Sequence, residues 1–239
     1  MSPGNLWIVL FVFVNVALGL QIEALGASRG ITWLENAVGF VTSLHLLFYF
    51  MKPPVLSNGP VRRTTLIVCL ILATLGELVL SAVFGLYTYR SSLLPFFVPP
   101  GHVLLFLAGL IVSDQRWCGG WLIWLVGSFG ASALLYFALQ GRDLLSVPLF
   151  LLFVACLLWG TEKRLYAVMF ALALCLEICG TWYGAWRWHP ELPWFRISVA
   201  NPPLAAGAFY ACLDLLTVFL TVHLRGRLAW QASQTSRSS

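Results

Sequence analysis

Long apolar stretches, broken only by short polar punctuation, run along almost the whole chain. Crossing a hydrocarbon core about 30 Å thick takes roughly 17 to 25 apolar residues in a helix. Runs of this kind cover residues 6–25, 31–51, 64–84, 97–113, 118–140, 144–160, 164–183 and 203–224, the fourth and sixth being short. Backbone amides in hydrocarbon must be paired within their own segment, and these runs are too long and too uniformly apolar for barrel strands, so each is expected to be a helix. The pattern therefore predicts an all-α polytopic membrane helix bundle with about eight transmembrane helices. Ala24, Gly26 and Ala27 follow the first run as small residues follow a secretory signal, but no Lys or Arg precedes it, so it is expected to remain as a permanent helix.

The same polar punctuation recurs about 100 residues apart, and a fixed offset of this kind is the mark of an internal repeat. Glu77 is followed by Phe84, Gly85, Tyr87 and Tyr89, then Pro95, Phe96 and Phe97, then Pro99 and Pro100. Glu177 is followed by Tyr183, Gly184, Trp186 and Trp188, then Pro193, Trp194 and Phe195, then Pro202 and Pro203. The expectation is a direct repeat of four helices plus four, residues 1–115 and 116–239, within a single membrane domain. An even number of spans per copy gives both copies one orientation, related by an axis along the membrane normal. Proline is tolerated in the first helical turn, so each Pro-Pro pair is expected to open a helix. The aromatic segments ahead of them, 85–98 and 184–201, either form an interfacial belt or dip back into the bundle.

Composition agrees with the pattern: 60% of the 239 residues are hydrophobic and only 10% charged, against about 25% charged in soluble domains. With eight spans, one side carries Lys52, Arg62, Arg63, Arg116, Lys163, Arg164, Arg225, Arg227 and Arg237, and the other Arg29, Arg90, Arg142, Arg187 and Arg196. That asymmetry predicts cytoplasmic N and C termini, with the bacterial inner membrane as the expected location. The net charge of +5 is accounted for by orientation, and no basic block points to nucleic acid. Cys69, Cys156, Cys175, Cys179 and Cys212 fall within spans and Cys118 at a span edge, so no disulfide is expected. Cys175 and Cys179 share a helical face, but no Cys or His at ligand spacing completes a set around them; no metal and no cofactor is expected.

Candidate chemistry lies in ionisable groups that the bilayer makes costly, about 2.5 to 3.5 kcal/mol each at a helix centre. These are Glu35, His45, Glu77, Glu177 and Asp214, with His102 and Asn201 at or near helix starts. Glu77 and Glu177 lie about seven residues, or roughly 10 Å, below the ends of their helices. If the repeat holds, they face one space from opposite sides, with Asp214 beneath and His102 and Asn201 at its mouth. A low dielectric disfavours an ionised carboxylate, and a neutral glutamic acid is a usable proton donor. Hydrogen bonds that merely fix helix packing are the alternative role for each acid. His45 has no evident partner and His223 reads as interfacial. No Gly-rich phosphate loop with Lys, no His-Glu-x-x-His and no Gly-x-Ser-x-Gly elbow occurs.

Glu77 with Phe84-Gly85-Leu86-Tyr87-Thr88-Tyr89, and Gly184-Ala185-Trp186-Arg187-Trp188 with downstream Asn201, resemble the Glu, Phe-Gly-x-Tyr-x-Tyr, Gly-x-Trp-x-Trp and Asn motifs of a family of polytopic carotenoid-biosynthesis proteins that includes carotenoid hydratases. The resemblance implies a long isoprenoid or membrane-lipid substrate, an acid that protonates a carbon-carbon double bond, and capture of the cation by water or an internal alkene. Glu77, Glu177 and Asp214 are then the candidate catalytic residues. Glu35, Tyr87, Tyr89, His102, Trp182, Tyr183, Trp186, Trp188 and Asn201 are the candidate substrate-binding residues. A proton-coupled carrier and a membrane scaffold subunit remain the competing classes, and the oligomeric state is open.

Overall fold

The computed structural model describes residues 3–31, 33–90, 93–192 and 195–238, and the side chains of residues 4–137 and 139–224 within them. Pro193 and Trp194 of the second repeat motif lie outside the described residues, as do the side chains of Arg225, Arg227 and Arg237. Among the described residues, eight α-helices follow in order: α1 (Pro3–Arg29), α2 (Trp33–Met51), α3 (Arg63–Glu77), α4 (Val98–Ser113), α5 (Gly120–Leu139), α6 (Ser146–Trp159), α7 (Lys163–Trp182) and α8 (Gly207–Ser238). Helix α3 runs on without a break into a π-helical turn, Leu78–Val83. Among the described residues, six helices are long and apolar enough to cross a membrane, while α4 and α6 are shorter apolar helices. The two short helices are the two short runs of the sequence.

Connections at one end of the bundle are brief, including a hairpin of β1 (Val55–Leu56) and β2 (Gly59–Pro60) between α2 and α3. At the other end the α3–α4 and α7–α8 connections are long, and each carries a three-residue strand: β3 (Tyr87–Tyr89) and β4 (Trp186–Trp188). These two strands pair antiparallel, Tyr87 opposite Trp188, Thr88 opposite Arg187 and Tyr89 opposite Trp186. With Tyr87, Trp186 and Trp188 all buried, the aromatic segments dip back into the bundle instead of forming a belt. Part of their backbone bonding is mutual, flanked by Arg90 N–H to the Ala185 carbonyl and His189 N–H to the Leu86 carbonyl, while the Trp188 amide donates to the Asn201 side chain. Pairing of this kind is what a non-helical segment at membrane depth requires.

Helices α3, α4, α7 and α8 form the centre: α3 packs on α4 and α8, and α7 packs on α8 and α4. Around α4, buried positions include every residue from His102 to Gly109, as expected of an apolar helix surrounded by others. The hairpin α1–α2 packs on α4, and α5–α6 packs on α7 and α8. Close approach depends on glycine at two crossings. A β-carbon on Gly207 would lie 2.2 Å from the Phe170 carbonyl oxygen, and one on Gly109 2.3 Å from the Met169 sulfur.

The first Pro-Pro pair, Pro99-Pro100, stands in the opening turn of α4. The second does not open a helix, because Pro202 and Pro203 precede a turn and α8 begins at Gly207. The reason is a polar cap from another segment. Asp143 Oδ2 accepts from the Leu204 amide at 2.8 Å and from the Ser146 hydroxyl at 2.6 Å, while Ser146 Oγ accepts from the Ala205 amide at 3.0 Å. Those acceptors are held by α6 and its approach, so the chain turns before it coils.

Candidate functional site

Glu77 ends the α-helical part of α3, and the π turn after it carries the chain to Gly85, whose φ of 59° is left-handed. A residue without a β-carbon takes that conformation without penalty. The reversal sends β3 back alongside the helix, so that the hydroxyls of Tyr87 and Tyr89 both donate to Glu77 Oε2, at 2.6 and 2.5 Å. Glu177 is built the same way. Gly184, φ 67°, reverses the chain after α7, and the indole N–H groups of Trp186 and Trp188 donate to Glu177 Oε2 at 2.8 and 2.9 Å. Ser81 and Thr181 each donate to the carbonyl of the glutamate four residues before them, both at 2.7 Å.

Both glutamates are buried, and their carboxyl groups are near enough to interact electrostatically. They share two voids. A cavity of about 60 Å³ lies toward α1 and α2, walled by Asn15, Gly19, Val38, Thr42, Phe97 and Gly101. A second of about 310 Å³ lies between α3 and α8, walled by Leu72, Leu75, Val79, Phe209, Leu213 and Leu216. Glu77, Tyr87, His102, Glu177 and Tyr210 line both and form the partition between them. Leu75, Val79 and Leu216 are also exposed on the outer surface of the bundle, so the larger void opens sideways through an apolar wall.

Of the other residues singled out in the sequence, Tyr89 and Trp186 line the smaller cavity and Trp188 the larger. His102 is stacked on Tyr210, ring centroids 4.7 Å apart and 3° from parallel. Asp214 is fully buried but lines neither cavity. It stands with Cys69 and His102, their donor atoms all within 4.8 Å of one another. Three residues that could hold a metal ion thus come from α3, α4 and α8, a set no sequence spacing reveals. Cys175 and Cys179, the pair that spacing did reveal, are exposed on α7.

Asn201 accepts the Trp188 amide at 3.0 Å through Oδ1 and positions β4. Trp182 is 85% exposed. Neither it nor Tyr183, Asn201 and Glu35 lines either cavity. Glu35 stands in the first turn of α2, within electrostatic reach of Glu23. His45 does have a partner, the Tyr49 hydroxyl at 3.0 Å one turn on.

One site residue and one buried ion pair escape the sequence reading. Tyr210 donates to Glu177 Oε1 at 3.3 Å and completes the partition; a tyrosine on an apolar helix carries little signal without its neighbour. Glu23 is buried and bound by the Arg90 guanidinium, whose Nη1 also donates to the Tyr183 carbonyl at 3.0 Å. It lies inside the first apolar run, where an acid is already a signal of function or pairing.

Comparison with known proteins finds no match to a family model, to a curated protein or to a solved structure.

Proposed function

We propose that this chain is an integral-membrane enzyme that acts on a long hydrophobic isoprenoid or lipid by acid-base chemistry. The carrying observation is the partition: two buried glutamates, one from each half of the chain, line the same two voids among aromatic rings. Hydrogen-bond chemistry distinguishes their roles. An indole N–H only donates, so Glu177 Oε2, which faces two of them, is fixed as an acceptor. Tyrosine hydroxyls donate or accept, so the surroundings of Glu77 tolerate a protonated carboxyl. Glu77 is therefore the acid and Glu177 the base.

In the proposed reaction Glu77 transfers its proton to one carbon of an alkene, and the neighbouring carbon becomes cationic. Water adds to that carbon and loses a proton to Glu177, or an internal alkene attacks it and the product loses a proton there. Proton return from Glu177 to Glu77 restores the enzyme. Tyr87, Tyr89, Trp186 and Trp188 offer ring faces that stabilise a passing cation. The apolar, laterally open wall of Leu75, Val79 and Leu216 suits a lipid-dissolved substrate. Asp214 takes no step in this reading.

The proposal includes a four-plus-four direct repeat, supported by the matched glutamate, glycine, strand and hydroxyl contacts of the two halves. Cytoplasmic termini, supported by the distribution of basic residues, and a bacterial inner membrane belong to it too. Proton-coupled transport is the second reading, favoured by a carboxyl pair between two voids. The lining favours chemistry over passage: among the described residues, Glu77 and Glu177 are the only acidic or basic side chains on either cavity apart from His102.

Mass spectrometry of the organic extract of purified protein is expected to identify a bound polyene or other isoprenoid. Glu77→Gln and Glu177→Gln should each lower turnover of that compound by about 10²- to 10⁴-fold, the usual weight of a general acid or base, with elution as a folded species unchanged. Full turnover in both variants would remove the reading.

A further inference from the structure

We propose that Cys69, His102 and Asp214 form a binding site for one divalent cation of the zinc class, a site independent of the acid-base reading above. The three side chains converge from α3, α4 and α8, with Sγ, an imidazole nitrogen and a carboxylate oxygen all within 4.8 Å of one another. Cys69 and Asp214 are fully buried and His102 is 5% exposed. The carboxylate and one imidazole nitrogen are also unspent. Neither oxygen of Asp214 has a hydrogen-bond partner, and neither has Nε2 of His102.

A buried carboxyl beside an open imidazole nitrogen is costly to leave without partners, and these groups face one another and a thiol. Thiolate, imidazole and carboxylate are the three ligand types zinc takes. Charge favours the same ion. One thiolate and one carboxylate against a 2+ cation sum to zero, with imidazole neutral, so the loaded cluster places no net charge in the bundle. Loading releases the thiol proton, and any proton on the carboxyl, to solvent.

The geometry is close to a ligand set without being drawn tight. Zinc bonds of about 2.0 to 2.3 Å place tetrahedral ligand atoms about 3.5 Å apart, so the widest pair would close by about 1 Å. Two neighbours hold the ligands in place. Tyr210 stacks on the His102 ring, and Thr217 is within hydrogen-bonding reach of the Cys69 thiol. His102 also lines both cavities. Three protein ligands leave one position for water.

The test is cobalt(II) titration of the chelator-treated full chain in detergent. One equivalent should bind, producing a near-ultraviolet thiolate-to-cobalt absorption and visible bands of tetrahedral strength, all displaced by zinc. Cys69→Ser should lose the thiolate band, and His102→Ala and Asp214→Asn should each weaken binding by at least about tenfold. A Cys175→Ala/Cys179→Ala protein should keep the full spectrum. X-ray absorption of the zinc-loaded wild type needs no variant, and should give one sulfur and three nitrogen or oxygen neighbours. No stoichiometric band in the wild type, a band that survives Cys69→Ser or disappears with Cys175 and Cys179, or a zinc shell without one sulfur would each overturn the site.

Discussion

At the scale of single residues, the two glutamates differ more than their matched positions imply. Glu77 meets two hydroxyls and Glu177 two indole N–H groups, both through Oε2. A hydroxyl can follow a proton and an indole cannot, so substitution at the tryptophans has a defined consequence. Trp186→Phe removes one of three side-chain donors to a buried carboxyl and should lower stability by about 1 to 3 kcal/mol, read as a lower melting temperature in detergent. A variant that melts with the wild type would show that this donor contributes nothing. Gly180 belongs to the same arrangement: a β-carbon there would sit 2.0 Å from the Trp186 ring, so the indole reaches Glu177 only because position 180 is bare.

At the scale of elements, the π turn after α3 resolves a mismatch of one residue. Eight steps separate Glu77 from Gly85 and seven separate Glu177 from Gly184. Insertion of one residue into an α-helix commonly appears as a π bulge, and of these two segments the longer one has it. The backbone shows the same slip. Leu86 N–H bonds to the Leu80 carbonyl, six residues back, whereas Ala185 N–H bonds to the Gly180 carbonyl, five back. Deletion of Val83, which is exposed at the end of the π turn, should therefore be absorbed as a regular helix, leaving a monodisperse protein with Glu77 still bound to Tyr87. Deletion of Ile178 from α7, which has no such slack, should turn Glu177 away from its partners by about 100° and cost most of the folded yield. Equal losses from both deletions, measured by size-exclusion elution and melting, would disprove the insertion account.

At the scale of the molecule, the halves are joined through their centre and through the strand pair. Thr88 faces Arg187 at the middle of that pair, with Tyr87 against Trp188 on one side and Tyr89 against Trp186 on the other. Arg90 extends the link by joining Glu23 of α1 to the Tyr183 carbonyl after α7. Because Glu23 is 3% exposed and Arg90 29%, loss of one partner leaves the other poorly hydrated. Glu23→Gln and Arg90→Ala should each destabilise by about 1.5 to 3 kcal/mol, and the double variant by clearly less than their sum, as thermal melts would record. Additive losses would mean that the pair has no coupling.

The sequence by itself determined the solvent of the fold, the helical class and the two acids that the bundle buries at its centre. A run of some twenty apolar residues can satisfy its backbone in lipid only by coiling, and an acid inside such a run is too costly to be casual, so Glu77 and Glu177 stand out before any coordinates. Local pattern marks the aromatic segments after each glutamate as unusual, but leaves open whether they form an interfacial belt or dip back into the bundle. Only the tertiary structure decided what meets what. That β3 pairs with β4, that Tyr210 reaches Glu177, that Asp143 delays α8 to Gly207, and that Asp214 leaves the glutamates for Cys69 and His102 all depend on side chains from segments remote in the chain. Helix rotation and depth set those meetings, and both are fixed by packing among neighbours, such as the bare positions at Gly109 and Gly207, that no single helix encodes.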